Sequence, residues 1–180
     1  MAIILLLPFI SVSSKEFDSE MFIADGAVKV FSTACLKYYP DPKQFSQWVI
    51  NNKFELISDK FSKGLIHETG GKAYSINNGG VRYVLVAEPS NLCTVFVKEA
   101  NLKKANDSLA KLRSGLKSGN INEISSSNEK QLTEGIVKTT IYDYETYNGR
   151  WIMTIVVSES SSTIGFYQFA MSAKSQLRAK

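Results

Sequence analysis

The chain has 180 residues, 44% hydrophobic and 21% charged, enough for one well-cored globular domain and too few for two comfortable ones, which excludes disordered and fibrous classes. Its 21 Lys and Arg against 17 Asp and Glu leave a formal charge of +4, with no basic block for a polyanion to grip, so nucleic acid is not an expected partner. One His and two Cys cannot build the ordinary His and Cys zinc sites, and any catalytic triad that needs His must pass through His67.

Residues 2–13 form an uncharged apolar run that stops at small residues just before Lys15, Glu16 and Asp18. That is the pattern of a secretory signal peptide, and it predicts processing after Ser13 or Ser14, with 15–180 as a single domain. The pattern departs in one respect, since no Lys or Arg precedes the run. As a helix the run reaches only about 20 Å, short of the ~30 Å hydrocarbon core, so no transmembrane anchor is expected. No Cys follows closely enough for lipid attachment. The expected location is the periplasm or the outside of the cell. In that oxidising space Cys35 and Cys93 are the only possible disulfide pair, and closing so long a loop is worth about 4 kcal/mol in the chain-entropy account.

Residues 15–26 lack a firm period and read as an arm. From 27 to 38, Ala27, Val28, Phe31, Ala34, Cys35 and Tyr38 recur at steps of three and four, which predicts a helix with Cys35 facing inward. Asp41-Pro42 predicts a second helix, with Asp as cap and Pro at the first helical position; Phe45, Trp48 and Val49 follow its apolar step. A third helix is predicted over 55–63, carrying Leu56, Ile57, Lys60 and Phe61 and ended by Gly64. The period then shortens to that of strands. Runs 73–77 and 81–88 flank Asn78-Gly79-Gly80, a hairpin turn that tolerates positive φ, and Pro89-Ser90-Asn91 leads into a third strand over 92–97.

The segment 101–117 has an apolar stripe of Leu102, Ala105, Leu109, Leu112 and Leu116, with Lys103, Lys104, Lys111, Arg113 and Lys117 largely off it, the pattern of an amphipathic helix packed on a sheet. The Ser-rich segment 118–131 is expected to be a surface connection. Three further strands are predicted over 135–147, 150–158 and 163–173. The fold class is therefore α+β: N-terminal helices, an antiparallel sheet of about six strands and one amphipathic helix on the sheet.

Asn148-Gly149 is a strong two-residue hairpin signal. With those residues as the loop, Tyr147 stands opposite Arg150, Thr146 opposite Trp151, Tyr144 opposite Met153 and Tyr142 opposite Ile155. One face then carries Tyr142, Tyr144, Trp151, Met153 and Ile155. The other carries Asp143, Glu145, Tyr147, Arg150, Ile152 and Thr154, a polar, solvent-facing set with Glu145 diagonal to Arg150. Asp143 and Glu145 lie roughly 6 to 7 Å apart at Cα, near the spacing of paired carboxylates in glycoside hydrolysis. The signal is weak, since alternating acids on a solvated strand occur constantly and Arg150 offers an ordinary salt-bridge partner.

Other constellations run out quickly. Gly70-Gly71-Lys72-Ala73 lacks the Gly at position 66 and the Ser or Thr after Lys of a phosphate loop, and it precedes a strand. His67-Glu68 has no second His to complete a helical zinc motif, no Ser sits in a Gly-x-Ser-x-Gly elbow, and Asn106-Asp107-Ser108 is a formal glycosylation sequon. No cofactor and no metal are expected.

The order Ala34-Cys35, Phe45 with Trp48, Gly71-x-Ala73-Tyr74, Tyr83-x-Leu85 and Cys93-Thr94-Val95-Phe96 ahead of a Lys-rich amphipathic helix resembles a group of small, uncharacterised exported or lipid-anchored bacterial proteins over about residues 27–117. The lipoprotein Cys of some members is absent. The resemblance implies an envelope location and a Cys35 to Cys93 bridge, and it implies no activity. Together these features point to a non-catalytic binding protein whose partner is another protein of the cell envelope, such as an inhibitor or immunity-type protein against a toxin or enzyme. Asp143, Glu145, Tyr147 and Arg150 are its expected binding residues, because Tyr and Arg are frequent interface hot spots. Two rivals remain: a small-ligand or envelope-component binder using Tyr74, Tyr83 and Tyr167, which a deep apolar pocket would mark, and a hydrolase using Asp143 or Glu145. The oligomeric state is open.

Overall fold

A computed structural model describes residues 19–98, 101–117, 122–132, 135–146, 149–158 and 169–177. In chain order these form α1 (Ser19–Phe31), a π-helical continuation (Ser32–Tyr38), α2 (Pro42–Asn51), β1 (Glu55–Leu56), α3 (Asp59–Ser62), β2 (Lys72–Asn78), β3 (Val81–Glu88), β4 (Leu92–Val97), α4 (Leu102–Lys117), β5 (Asn122–Leu132), β6 (Gly135–Thr146), β7 (Gly149–Ser158) and β8 (Phe169–Leu177). The class is α+β, and the eight strands make one sheet of order β1-β2-β3-β4-β8-β7-β6-β5. Every neighbouring pair is antiparallel. Two meanders, β1 to β4 and β5 to β8, thus lie side by side, with α4 carrying the chain from one to the other.

One sheet face holds the main core. Tyr83, Leu85, Cys93, Val95, Val97, Phe169, Met171 and Ala173 pack there against Ala24, Ala27, Phe31, Ala34 and Cys35 of the first helical stretch, Phe45 and Val49 of α2, and Ala105 and Leu109 of α4. The opposite face carries a smaller cluster of Ala73, Val84 and Val86 under Ile57, Leu65 and Ile66. The expected disulfide is present: Cys35 bonds Cys93 with 5.3 Å between Cα atoms across 58 residues, both side chains fully buried. It joins the helical layer to a central strand.

Local signals place several elements as expected. Asp41 caps α2, its Oδ1 accepting from the N–H groups of Lys43 and Gln44 at 3.0 and 3.2 Å, with Pro42 leading the helix. Gly79 and Gly80 take φ of +59° and +80° between paired Asn78 and Val81, the geometry that an Asn-Gly-Gly turn permits. The sequon at 106–108 lies inside α4 and not in a loop. Its Ser108 is buried, and its hydroxyl donates to Asp25 Oδ1 at 2.5 Å.

Four expectations need correction. The supposed arm is helical from Ser19; packing of Ala24 and Ala27 beneath α4 makes this helix, and local periodicity does not reveal such tertiary support. The segment 55–63 is not one helix, because Glu55 and Leu56 pair with Ser75 and Tyr74, Ile57 N–H donates to Ala73 C=O at 2.8 Å, and only Asp59–Ser62 is helical. Short apolar runs fit either period. Residues 122–132 form β5, paired with β6 from Asn122↔Glu145 to Leu132↔Gly135, because an edge strand needs backbone partners on one side only and tolerates a polar, Ser-rich sequence. Finally, Thr146 pairs with Gly149 and Tyr144 with Trp151, so residues 147–148 lie between the paired strands in place of 148–149. The register slips by two, which leaves every side chain on its expected face.

Candidate binding groove

The hairpin residues singled out in the sequence share one sheet face. Asp143 and Glu145 stand on β6 opposite Ile152 and Arg150 of β7, so Glu145 and Arg150 form a directly opposed pair of unlike charge, closer than the expected diagonal. Tyr147 lies outside the described residues. Alternation puts this set on the face of Ile141, which is 40% exposed, and away from Tyr142, which is buried with the Arg113 guanidinium of α4 4.5 Å from its ring centroid. Register therefore places these positions on the sheet face opposite the main core.

Among the described residues, Tyr74 and Tyr83 do not stand together on the open sheet face. Tyr83 is 1% exposed and belongs to the core. Tyr74 turns to the helical side, its ring 6.3 Å from that of Phe45. Burial raises the pKa of both phenols, disfavouring the charged phenolate. Tyr167 lies outside the described residues.

A site that the sequence did not disclose lies on the open face near the sheet edge. β1 ends after two residues, and the chain turns through Ile57 and Ser58 into α3, leaving a groove of about 690 Å³. The sheet contributes Ser75, Arg82 and Lys98; Ile57, Phe61 and Leu65 form the apolar wall, Glu55 adds one acid, and Leu56 borders the groove at the strand edge, its pairing with Tyr74 placing its side chain on the helical side of the sheet. Leu56 is 65% exposed and Phe61 73%. Arg82 reaches only Ser75 Oγ, at 3.4 Å, and has no carboxylate partner among the described residues. The lining comes from segments distant in the chain, so no short motif could announce it. The one local signal is the presence of Leu56 and Phe61 in a stretch also rich in Glu, Asp and Lys.

A second polar cluster locks the loop after α3 to the turn between β3 and β4. Glu88, 2% exposed, accepts His67 N–H on Oε1 at 2.6 Å, while Glu68 Oε2 accepts Ser90 N–H at 2.9 Å. Tyr39 donates its hydroxyl to the Glu88 carbonyl. Hydrogen bonding from Ser90 holds Glu68 below the usual carboxylate range, and burial pushes Tyr39 up to about 12. The two carboxylates are exchanged reciprocally between the segments, an architectural clamp. Among the described residues no cluster of three His, Cys, Asp or Glu could hold a metal ion.

Compared with known proteins, the chain matches no family model, no curated protein and no solved structure. Among the described residues no helix is long and apolar enough to cross a membrane.

Proposed function

We propose that the protein is a non-catalytic binding protein of an oxidising space outside the cytoplasm, where it engages another protein of the cell envelope as an inhibitor or immunity-type partner of a toxin or enzyme. The observation that carries this reading is the exposure of Phe61, 73%, beside Arg82 and Lys98 in an open groove. Sites for small ligands enclose most of the ligand between buried walls, and large apolar side chains left in solvent next to Arg are typical of protein contacts. In this reading the β6–β7 hairpin, with Asp143, Glu145 and Arg150 in its strands and Tyr147 between them in sequence, is a second contact segment, away from the groove at the other end of the sheet. A disulfide in a chain with only two Cys fits a compartment where such bonds persist. The apolar run at 2–13 supplies the export signal.

The test is fractionation of cells making the full chain, intact-mass analysis of the product, and capture from envelope extract with the mature protein. The expected product lacks its first 13 or 14 residues, is two hydrogens lighter than the reduced chain, and retains one partner in stoichiometric amount. Free thiols in a cytoplasmic protein that keeps its N-terminal residues, or the absence of any stoichiometric partner, would overturn the reading.

A further inference from the structure

Three features of the groove converge on one kind of occupant. The first is apolar: Phe61 lies in solvent, and Ile57 and Leu65, also in the lining, are partly buried against the smaller cluster. The second is charge. Arg82 has no acidic partner among the described residues, and its planar fork of donors matches a carboxylate; Lys98 adds a second positive group to the lining, and Glu55 is its single acid. The third is backbone. Ile57 N–H points to Ala73 C=O and Glu55 stands opposite Ser75, so alternation turns the N–H and C=O of Leu56 away from β2, toward the side where the sheet ends. A free peptide edge of this kind recognises another extended chain by adding a strand, which a lipid or detergent cannot do.

We infer that the groove beside β1 docks an extended segment of the partner in which a carboxylate lies next to a large apolar side chain. Arg82 holds the carboxylate, Phe61 covers the apolar side chain, and the Leu56 backbone pairs with the segment. Glu55 sets the polarity: a second acid in the segment is repelled, and a basic residue is accepted. This assignment rests on the proposed function and names the site through which it works.

The probe is a displayed library of random linear peptides, selected on the mature, disulfide-bonded protein and then measured as synthetic peptides by fluorescence anisotropy. Enriched peptides are expected to share one carboxylate within two positions of a large apolar residue, and to bind Arg82→Gln and Phe61→Ser about ten-fold more weakly or worse. Circular dichroism and an intact Cys35–Cys93 bond check that both variants fold, which the exposure of both side chains favours. Failure to enrich peptides, enrichment without a carboxylate, undiminished binding to both variants, or displacement of the peptides by monomeric dodecanoate each overturns the assignment, the last in favour of an anionic amphiphile. The two readings fail separately. Undiminished envelope capture by both variants removes the groove and leaves the proposed function standing, whereas selected peptides that bind as expected without any stoichiometric envelope partner remove the proposed function and leave the groove.

Discussion

Gly26 lies inside α1, where a glycine costs roughly 0.5–1 kcal/mol relative to Ala, and its neighbour explains it. A Cβ there would sit 2.3 Å from the Tyr83 hydroxyl oxygen and 2.9 Å from Cζ, so the helix can approach β3 only without a side chain. The Tyr83 hydroxyl is buried with no hydrogen-bond partner among the described residues, a cost of about 1–3 kcal/mol relative to a satisfied group. Gly26→Ala is therefore expected to lower stability by about 1–3 kcal/mol, the range for overpacking, in urea denaturation. Tyr83→Phe is expected to be neutral or stabilising, and to recover part of that loss in the double variant, since Cζ remains close. Strictly additive effects would show that the two residues do not meet. At Glu68 the expected effect is on pH. Its pKa is lowered by hydrogen bonds from Ser90, so its contribution is present above the ordinary carboxylate range and is lost as pH falls through the depressed folded value. Glu68→Gln should flatten the acid limb of the stability profile, and an unchanged limb would remove the clamp as its cause.

Among the elements, those with strong local chemistry are legible and those made by their surroundings are not. Asp41-Pro42 marks the start of α2, and Asn78-Gly79-Gly80 marks the β2–β3 turn, because caps and positive-φ turns act within a few residues. Asn148-Gly149 correctly announces a hairpin, yet alternation repeats every two residues and cannot distinguish Thr146↔Gly149 from the register two residues away. The face shared by positions 143, 145 and 150 is the same in both registers, because a slip of two preserves alternation. The groove could not, because β1 exists only through its pairing with β2, and Leu56 and Phe61 look like one face of a helix until that pairing is known. The two alternatives differ in energy. If Phe61 packed inward from a continuous helix, truncating it would cost about 3–5 kcal/mol; at 73% exposure, Phe61→Ser should change stability by no more than about 0.5 kcal/mol. Val84, fully buried on the same sheet face, supplies the contrast, with Val84→Ala expected to show the loss that Phe61→Ser does not. Thermal denaturation of the two variants decides between the arrangements.

Across the whole molecule, the sheet joins two meanders at the β4–β8 ladder, from Leu92↔Lys174 to Val97↔Phe169, and the helical layer crosses that junction on one face. The Cys35–Cys93 bond fastens this layer to the strand at the seam, closing 58 residues of chain that include α2, α3, the β2–β3 hairpin and the turn into β4. Because the tie spans elements that must each be ordered before the layer can dock, its chief effect is on the unfolded chain, where closing a loop of this length removes about 4 kcal/mol of entropy. Against a net stability of 5–15 kcal/mol typical of domains, that is a large share. The apolar contacts of Phe31 and Ala34 with the sheet remain when the bond is broken, so the layer is expected to stay docked in native conditions while the margin shrinks. Reduction of the bond, or the paired change Cys35→Ala with Cys93→Ala, should therefore lower the urea midpoint strongly with the far-ultraviolet spectrum of the native state preserved. A shift corresponding to less than about 1 kcal/mol would mean that the loop is already constrained in the unfolded state, and loss of the native spectrum would mean that the bond, more than the apolar seam, holds the two layers together.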